Sequence, residues 1–277
     1  MNREMPEQAA ESVPATDRAF LYGDGVFETL LIVNGIALWP ELHLDRMIRG
    51  AQRLGIDLSS SAVHAAIAEA QTHYQHSAGV LRITVSRNGG GRGYAPSKGV
   101  GGRVTAAHSD LGREPFQALP SAVVVTSSII MGEQPLLAGL KHCNRLEQVM
   151  AAAEALDRNV DDVLLCRSDA AYQCSSNANI FLLSGDTLLT PGCDRSGVSG
   201  TRRRFILEKL SAQQGLSAVE ATLTVSDLQS ADAMFICNSI MGIRNVARCD
   251  ELEFEPSAVL ERLQQAYYQE ARQCCAM

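Results

Sequence analysis

No apolar stretch in this chain approaches the roughly 18 residues that cross a bilayer as a helix, so a membrane-spanning class is set aside. The first segment, Met1 to Asp17, lacks the apolar core of a secretory signal and reads as a flexible leader (residues 1–17). Positive charge is short as well. Lys and Arg total 24 against 31 Asp and Glu, a net charge of −7, which argues against a general nucleic-acid surface. Metal-ligand patterns are missing. The eight cysteines form no paired Cys-x-x-Cys motifs, and the six histidines form neither His-x-x-x-His nor His-Glu-x-x-His. Free thiols in a cytoplasmic protein are the simplest account, with adjacent Cys274 and Cys275 frayed at the end. The glycine-rich stretch Gly89 to Gly93 lacks the Gly-Lys-Ser/Thr ending of a nucleotide loop. There is no internal repeat.

What is present is an ordinary globular balance. The 277 residues are 46% hydrophobic and 20% charged, enough to fill the core of one large domain or two smaller ones. Val26 to Val33 reads as a strand, and Asn34-Gly35 is the preferred dipeptide for a tight hairpin back through Ile36 to Trp39. Leu44, Met47, Ile48, Ala51 and Leu54 recur at helical spacing, flanked by His43 and Arg46, and a second helix covers Ala62 to His73. Leu81, Ile83 and Val85 then alternate with Arg82, Thr84 and Ser86, a strand with one buried face. Residues 109–120 show no periodicity and read as a linker between an N-terminal domain (18–108) and a C-terminal domain (121–277).

Beyond the linker, strands are expected at Ala122 to Thr126 and Asp161 to Cys166. A hairpin pairs Asn179–Leu183 with Thr187–Pro191. Ser196 to Thr201 precedes a helix beginning near Arg202, and a glycine-flanked helix start is a natural phosphate site. Thr222 to Val225 is expected to end a strand, Ala233 to Gly242 to form another, and Ser257 to Gln273 to close the chain as a helix.

The most informative stretch is Gly139-Leu140-Lys141-His142-Cys143-Asn144-Arg145-Leu146-Glu147. Asn144 followed by Glu147 is a capping-box pattern, and Leu146, Val149, Met150, Ala153 and Leu156 give the following helix an apolar stripe. Lys141 is thereby expected just outside a helix N-terminus. The helix dipole and any burial both disfavour its ammonium form and leave a nucleophilic amine.

The string from Gly139 to Val149 resembles the cofactor-lysine segment of the fold-type IV pyridoxal-phosphate enzymes, and within them the aminodeoxychorismate lyases. The superfamily also holds branched-chain and D-amino-acid aminotransferases. Tyr22-Gly23-Asp24-Gly25-Val26-Phe27-Glu28-Thr29 matches its N-terminal signature, and the similarity runs from Arg18 to Val246. The resemblance implies an α/β (α+β) fold: an N-terminal α/β sandwich and a barrel-like C-terminal domain, with pyridoxal 5'-phosphate between them. Lys141 would carry the cofactor and act in catalysis. Arg46, matching the arginine of "HLxRL", would hold the phosphate, together with Gly200, Thr201, Ser239 and, through its backbone amide, Ile240. Phe27, Arg92 and Tyr94 would face the substrate.

The family motif "E-x4-N-[LI]-F" keeps its asparagine at Asn179 but lacks its glutamate, the partner of the cofactor's ring nitrogen. Ungapped counting puts Cys174 there, and one inserted residue puts Gln173 there. The resemblance further implies a small-molecule substrate, a homodimer with pockets at the subunit interface, and conversion of 4-amino-4-deoxychorismate to 4-aminobenzoate and pyruvate for folate synthesis. An aminotransferase, or a non-catalytic cofactor-binding relative, is the alternative.

Overall fold

The computed structural model describes residues 13–89, 93–97 and 101–276. The expected leader falls outside the described residues as far as residue 12. Its last residue, Asp17, is buried, caps the short helix α1 (Arg18–Tyr22), and accepts a 2.6 Å hydrogen bond from Ser86.

Among the described residues the chain forms two sheets. The smaller is antiparallel, in the order β2-β1-β3-β4, from β1 (Gly25–Val33), β2 (Ile36–Ala37), β3 (Ala78–Arg87) and β4 (Gly102–Asp110). Asn34 and Gly35 both have positive φ, 49° and 77°, which fits the tight turn expected of this dipeptide. Helices α2 (Pro40–Leu54) and α3 (Ser60–His73) cover one face.

β1 is apolar almost without interruption because both of its faces are buried. Val26, Leu30 and Ile32 enter the core beneath α2 and α3. Leu31 and Val33 enter a second core with Phe181, Leu183 and Phe235 of the larger sheet. The strand thus belongs to both halves. It carries Phe27 towards the larger sheet and Glu28 towards α2.

The larger sheet runs β10-β9-β8-β11-β12-β5-β6-β7, with β13 paired to β12, and curls into a half-barrel. Its strands are β5 (Ala122–Ile130), β6 (Asp162–Cys166), β7 (Tyr172–Ser175), β8 (Asn179–Ser184), β9 (Thr187–Thr190), β10 (Ser217–Glu220), β11 (Ala233–Asn238), β12 (Gly242–Cys249) and β13 (Leu252–Glu253). The β8–β9 hairpin has the expected partners, with Leu182 opposite Leu189. Around the sheet lie α4 (Leu146–Asp157), α5 (Thr201–Phe205), α6 (Ser211–Gln213), α7 (Val225–Ser230) and α8 (Ala258–Cys274). A π-helical stretch, Ile206–Leu210, joins α5 to α6.

Three local expectations change. Thr222 to Val225 does not end a strand. The strand is Ser217–Glu220, and Thr224 with Asp227 forms the reciprocal capping box of α7. Asn144 does not cap α4. Its amide donates to the Gly23 carbonyl at 3.1 Å, Glu147 accepts from the Gly132 amide, and α4 starts without a side-chain cap. Cys274 and Cys275 are not frayed, since both pack against the core that α8 closes.

Candidate active site

The lysine loop is held from two sides. The Phe27 amide donates to the Lys141 carbonyl and the Cys143 amide to the Gly25 carbonyl, each at 2.9 Å, so the loop pairs with the start of β1. On its other side, Gly139 exchanges hydrogen bonds with Gly197 and Ser199. Gly139 has φ 80°, and a Cβ there would press on the Cys193 carbonyl. This clamp places Lys141 in the wall of a 420 Å3 cavity where β1, β7, the Val198–Thr201 turn and the end of β11 meet.

Four basic side chains line the cavity, Arg46, Arg82, Lys141 and Arg145, and no carboxylate lines it among the described residues. Burial is the largest influence on Lys141, and the Arg46 charge adds to it. Together they outweigh the opposing pull of Glu28 and bring the amine down to about 7. The helix dipole is a minor contributor, because α4 begins only at Leu146 and a dipole's influence fades within a turn. The Lys141 amine lies 4.3 Å from the centre of the Phe27 ring, and the Arg82 guanidinium 3.9 Å from it.

Arg46 is less free than its sequence context indicates. Its Nε and Nη2 donate to the two Glu28 oxygens at 2.6 and 2.7 Å, and its Nη1 donates to the Ser199 carbonyl at 2.9 Å. One edge of the fork therefore belongs to Glu28, and the guanidinium lines the cavity with what remains. The second Glu28 oxygen also meets His43 Nδ1 at 2.6 Å. Burial holds His43 down to about 4, against the pull of Glu28, so its ring is neutral near pH 7.

Gly200 and Thr201 stand at the start of α5 in the same wall. A side chain at Gly200 would strike the Asn179 amide oxygen, and Asn179 in turn donates to the Val198 carbonyl at 2.9 Å. That close approach requires glycine and keeps the amides at the helix start open to a ligand.

Several expected positions fall elsewhere. Ser239 lines the cavity, but its hydroxyl donates to the Thr29 carbonyl at 2.8 Å. The Ile240 amide donates to Asn238 Oδ1 at 3.0 Å, and its side chain packs into the core, so it offers the cavity no donor. Gln173 turns away: it donates to the Gly192 carbonyl at 2.7 Å and accepts from Arg167. Cys174 is the one that reaches the cavity, its thiol pushed up to about 12 by burial. Tyr94 is 84% exposed beside Tyr22 and does not line the cavity. Arg92 lies outside the described residues.

Sequence reasoning passed over Arg82, Arg145, Glu28 and His43. Arg82 sat on the polar side of an alternating strand, where a solvated arginine is the ordinary case. Glu28 and Arg145 lay inside the two recognised segments without a chemical pattern of their own.

The class IV amino-transferase family model matches residues 25–249, which include β1, the lysine loop and every strand bordering the cavity. The chain belongs to this family. An aminodeoxychorismate lyase from Vibrio harveyi is 34% identical over 257 residues, 91% of this chain and 94% of that protein. The crystal structure of 4-amino-4-deoxychorismate lyase from Pseudomonas aeruginosa superposes with a TM-score of 0.85 at 32% identity, covering 92% and 94% of the two chains. A branched-chain aminotransferase from Thermoproteus uzoniensis shares the fold at the same TM-score with 18% identity, covering 97% and 94%.

Class IV enzymes depend on pyridoxal phosphate. The cavity's groups fit that cofactor. A buried amine near neutrality suits a carbonyl, and a guanidinium beside an open helix start suits a phosphate. Cys174, in the same lining, offers a neutral thiol rather than a carboxylate.

Proposed function

We propose that this class IV enzyme is a lyase converting 4-amino-4-deoxychorismate to 4-aminobenzoate and pyruvate. The observation that carries the choice of substrate is the cavity's charge. Glu28 compensates Arg46, whereas Arg82 and Arg145 line the cavity with no carboxylate partner among the described residues. Arg145 spends its Nε and Nη2 on the carbonyls of His142 and Leu140, which leave its positive charge uncompensated. Two spare guanidinium groups suit a substrate with two carboxylates, as aminodeoxychorismate has. Alanine and the branched-chain amino acids have one.

Arg46 and the helix start at Gly200–Thr201 would hold the cofactor phosphate and Lys141 its carbonyl, with the Phe27 ring in the cavity wall beside the Lys141 amine. Bound there, pyridoxal phosphate supplies an electron sink that acidifies the hydrogen on the amine-bearing carbon. Lys141 Nζ, largely unprotonated above pH 7, takes that proton and returns it to the enolpyruvyl methylene. The carbon–oxygen bond breaks, pyruvate leaves, and the ring becomes aromatic. Arg82 and Arg145 orient the two carboxylates, so the reacting carbon meets Lys141 in one pose.

We further propose a homodimer, supported by the apolar face of α4. Leu146, Val149, Met150 and Leu156 are 77%, 61%, 58% and 81% exposed, while Val149 also borders the cavity. A role in folate synthesis follows from the product, and the eight unpaired cysteines favour the cytoplasm. The test is to supply aminodeoxychorismate and, separately, D-alanine or leucine with a keto acid. Formation of 4-aminobenzoate and pyruvate at the faster rate is expected. Efficient amino transfer without 4-aminobenzoate would refute the lyase proposal.

A further inference from the structure

We infer that Glu28 is a positioning residue for the cofactor phosphate: it holds Arg46 so that the guanidinium presents one fixed edge to the cavity. The inference rests on the placement of the cofactor phosphate beside Arg46. Glu28 is 1% exposed on the α2 side of β1, with Arg46 and His43 one helical turn apart on the facing helix. Its two oxygens accept three hydrogen bonds of 2.6 to 2.7 Å, two from Arg46 and one from His43. The Arg46 pair is bidentate, which fixes the plane of the guanidinium as well as its position.

The arrangement also settles His43. With the ring neutral and Nδ1 against a carboxylate, Nδ1 carries the hydrogen, and Nε2 is left as an acceptor. Nε2 lies 3.5 Å from the Thr201 hydroxyl at the start of α5. One buried carboxylate on β1 thereby reaches both parts of the anion end: Arg46 directly, and Thr201 through the imidazole.

A guanidinium without Glu28 would turn to other acceptors, such as the Ser199 carbonyl it already touches. The loss of direction outweighs any relief from removing a negative charge, because that charge is already shared between Arg46 and the His43 N–H.

The experiment compares pyridoxal phosphate with pyridoxal, which lacks the phosphate but keeps the carbonyl and the ring. Dissociation constants for both are measured by absorbance in the wild type, Glu28→Gln and Arg46→Lys, with melting temperatures of the apo proteins alongside. Arg46→Lys keeps the charge and loses the fork, so it tests the phosphate placement; Glu28→Asp, which keeps the carboxylate but shortens its reach, is measured in the same way and serves for the positioning role if Glu28→Gln fails to fold. Each variant is expected to weaken pyridoxal phosphate binding by roughly ten- to a hundred-fold, as typical for removing an orienting partner, and to leave pyridoxal nearly unchanged. A parallel loss for both ligands would make Glu28 merely structural and overturn the inference. Tighter pyridoxal phosphate binding in Glu28→Gln would make it a counter-charge and overturn it too. A wild type that binds both ligands equally would instead refute the placement of the phosphate at Arg46.

Discussion

At the scale of single residues, the proposed chemistry turns on Lys141 and the two uncompensated arginines. A base must be unprotonated to take a proton, so turnover should rise as pH climbs through about 7, the value to which burial and Arg46 bring Lys141. A rate profile measured from pH 5.5 to 8.5 checks this, and a profile flat through neutrality would contradict it. Lys141→Ala should abolish both the lyase reaction and borohydride-trappable attachment of the cofactor. Arg82→Ala or Arg145→Ala should each lower kcat/KM by about thirty-fold, equivalent to about 2 kcal/mol for one charge-assisted contact. A solvated arginine would leave it within a factor of two or so.

Cys174 makes a finer case. A neutral thiol cannot favour protonation of the cofactor's ring nitrogen as a carboxylate would. Amino transfer, which needs a carbanion returned to the cofactor, should be weak. Cys174→Glu should raise it more than it raises the lyase rate and should alter the cofactor's absorption spectrum, whereas Gln173→Glu should do neither. Unchanged spectra and rates in Cys174→Glu would remove the thiol from consideration.

At the scale of elements, α4 shows where local pattern and environment part company. Its apolar stripe was legible in the sequence, and periodicity points such a stripe at a core. The residues it buries within the chain are Ala151 and Ala155, while Leu146, Met150 and Leu156 face outward. Periodicity reports that a face is apolar, not whether its own chain covers it. Met150→Glu and Leu156→Glu should therefore shift the protein to monomers in sedimentation while changing the urea midpoint of the monomer little. An unchanged mass would exclude this helix from the interface.

β1, β3, β5, β6, β8, β9 and β11, the Asn34-Gly35 turn, α2, α3 and α8 were legible for the complementary reason, since propensity, period and turn chemistry agree there, whereas β4, β7, β10, β12 and β13 carried no such agreement and were not expected. Lys141 and Arg46 stood out because they lie in distinctive strings, and the structure brings both to the cavity. The Ile240 amide points away from the cavity, and the choice between Gln173 and Cys174 stayed open in the sequence, because the hydrogen bonds to Asn238 and Gly192 come from partners no periodicity reveals.

At the scale of the whole molecule, stability should fall in acid for an identifiable reason. The folded state holds His43 near 4 and Glu28 near 2, each below its ordinary value of 6.5 and 4.5. The unfolded chain therefore binds more protons between those limits. Both groups contribute fully above about pH 6.5 and lose their contribution as pH falls, His43 first and Glu28 later. Urea midpoints measured from pH 7.5 to 3.5 should decline, with a smaller decline in His43→Gln between pH 6.5 and 4. A midpoint flat over that range would contradict this.

The pairing of β1 with the lysine loop has a further consequence, for synthesis. Gly25 to Phe27 meet Lys141 to Cys143 across a long separation in the chain, and β2 covers only the far end of that same edge, at Ile32 and Val33. On a ribosome the edge waits roughly ten seconds for its partner to be translated. Until then a nascent chain carries an open, apolar strand, the kind that recruits other strands or a chaperone. A messenger truncated soon after β4 would yield a fragment prone to aggregation, and slow codons between β4 and the lysine loop would lengthen that exposure.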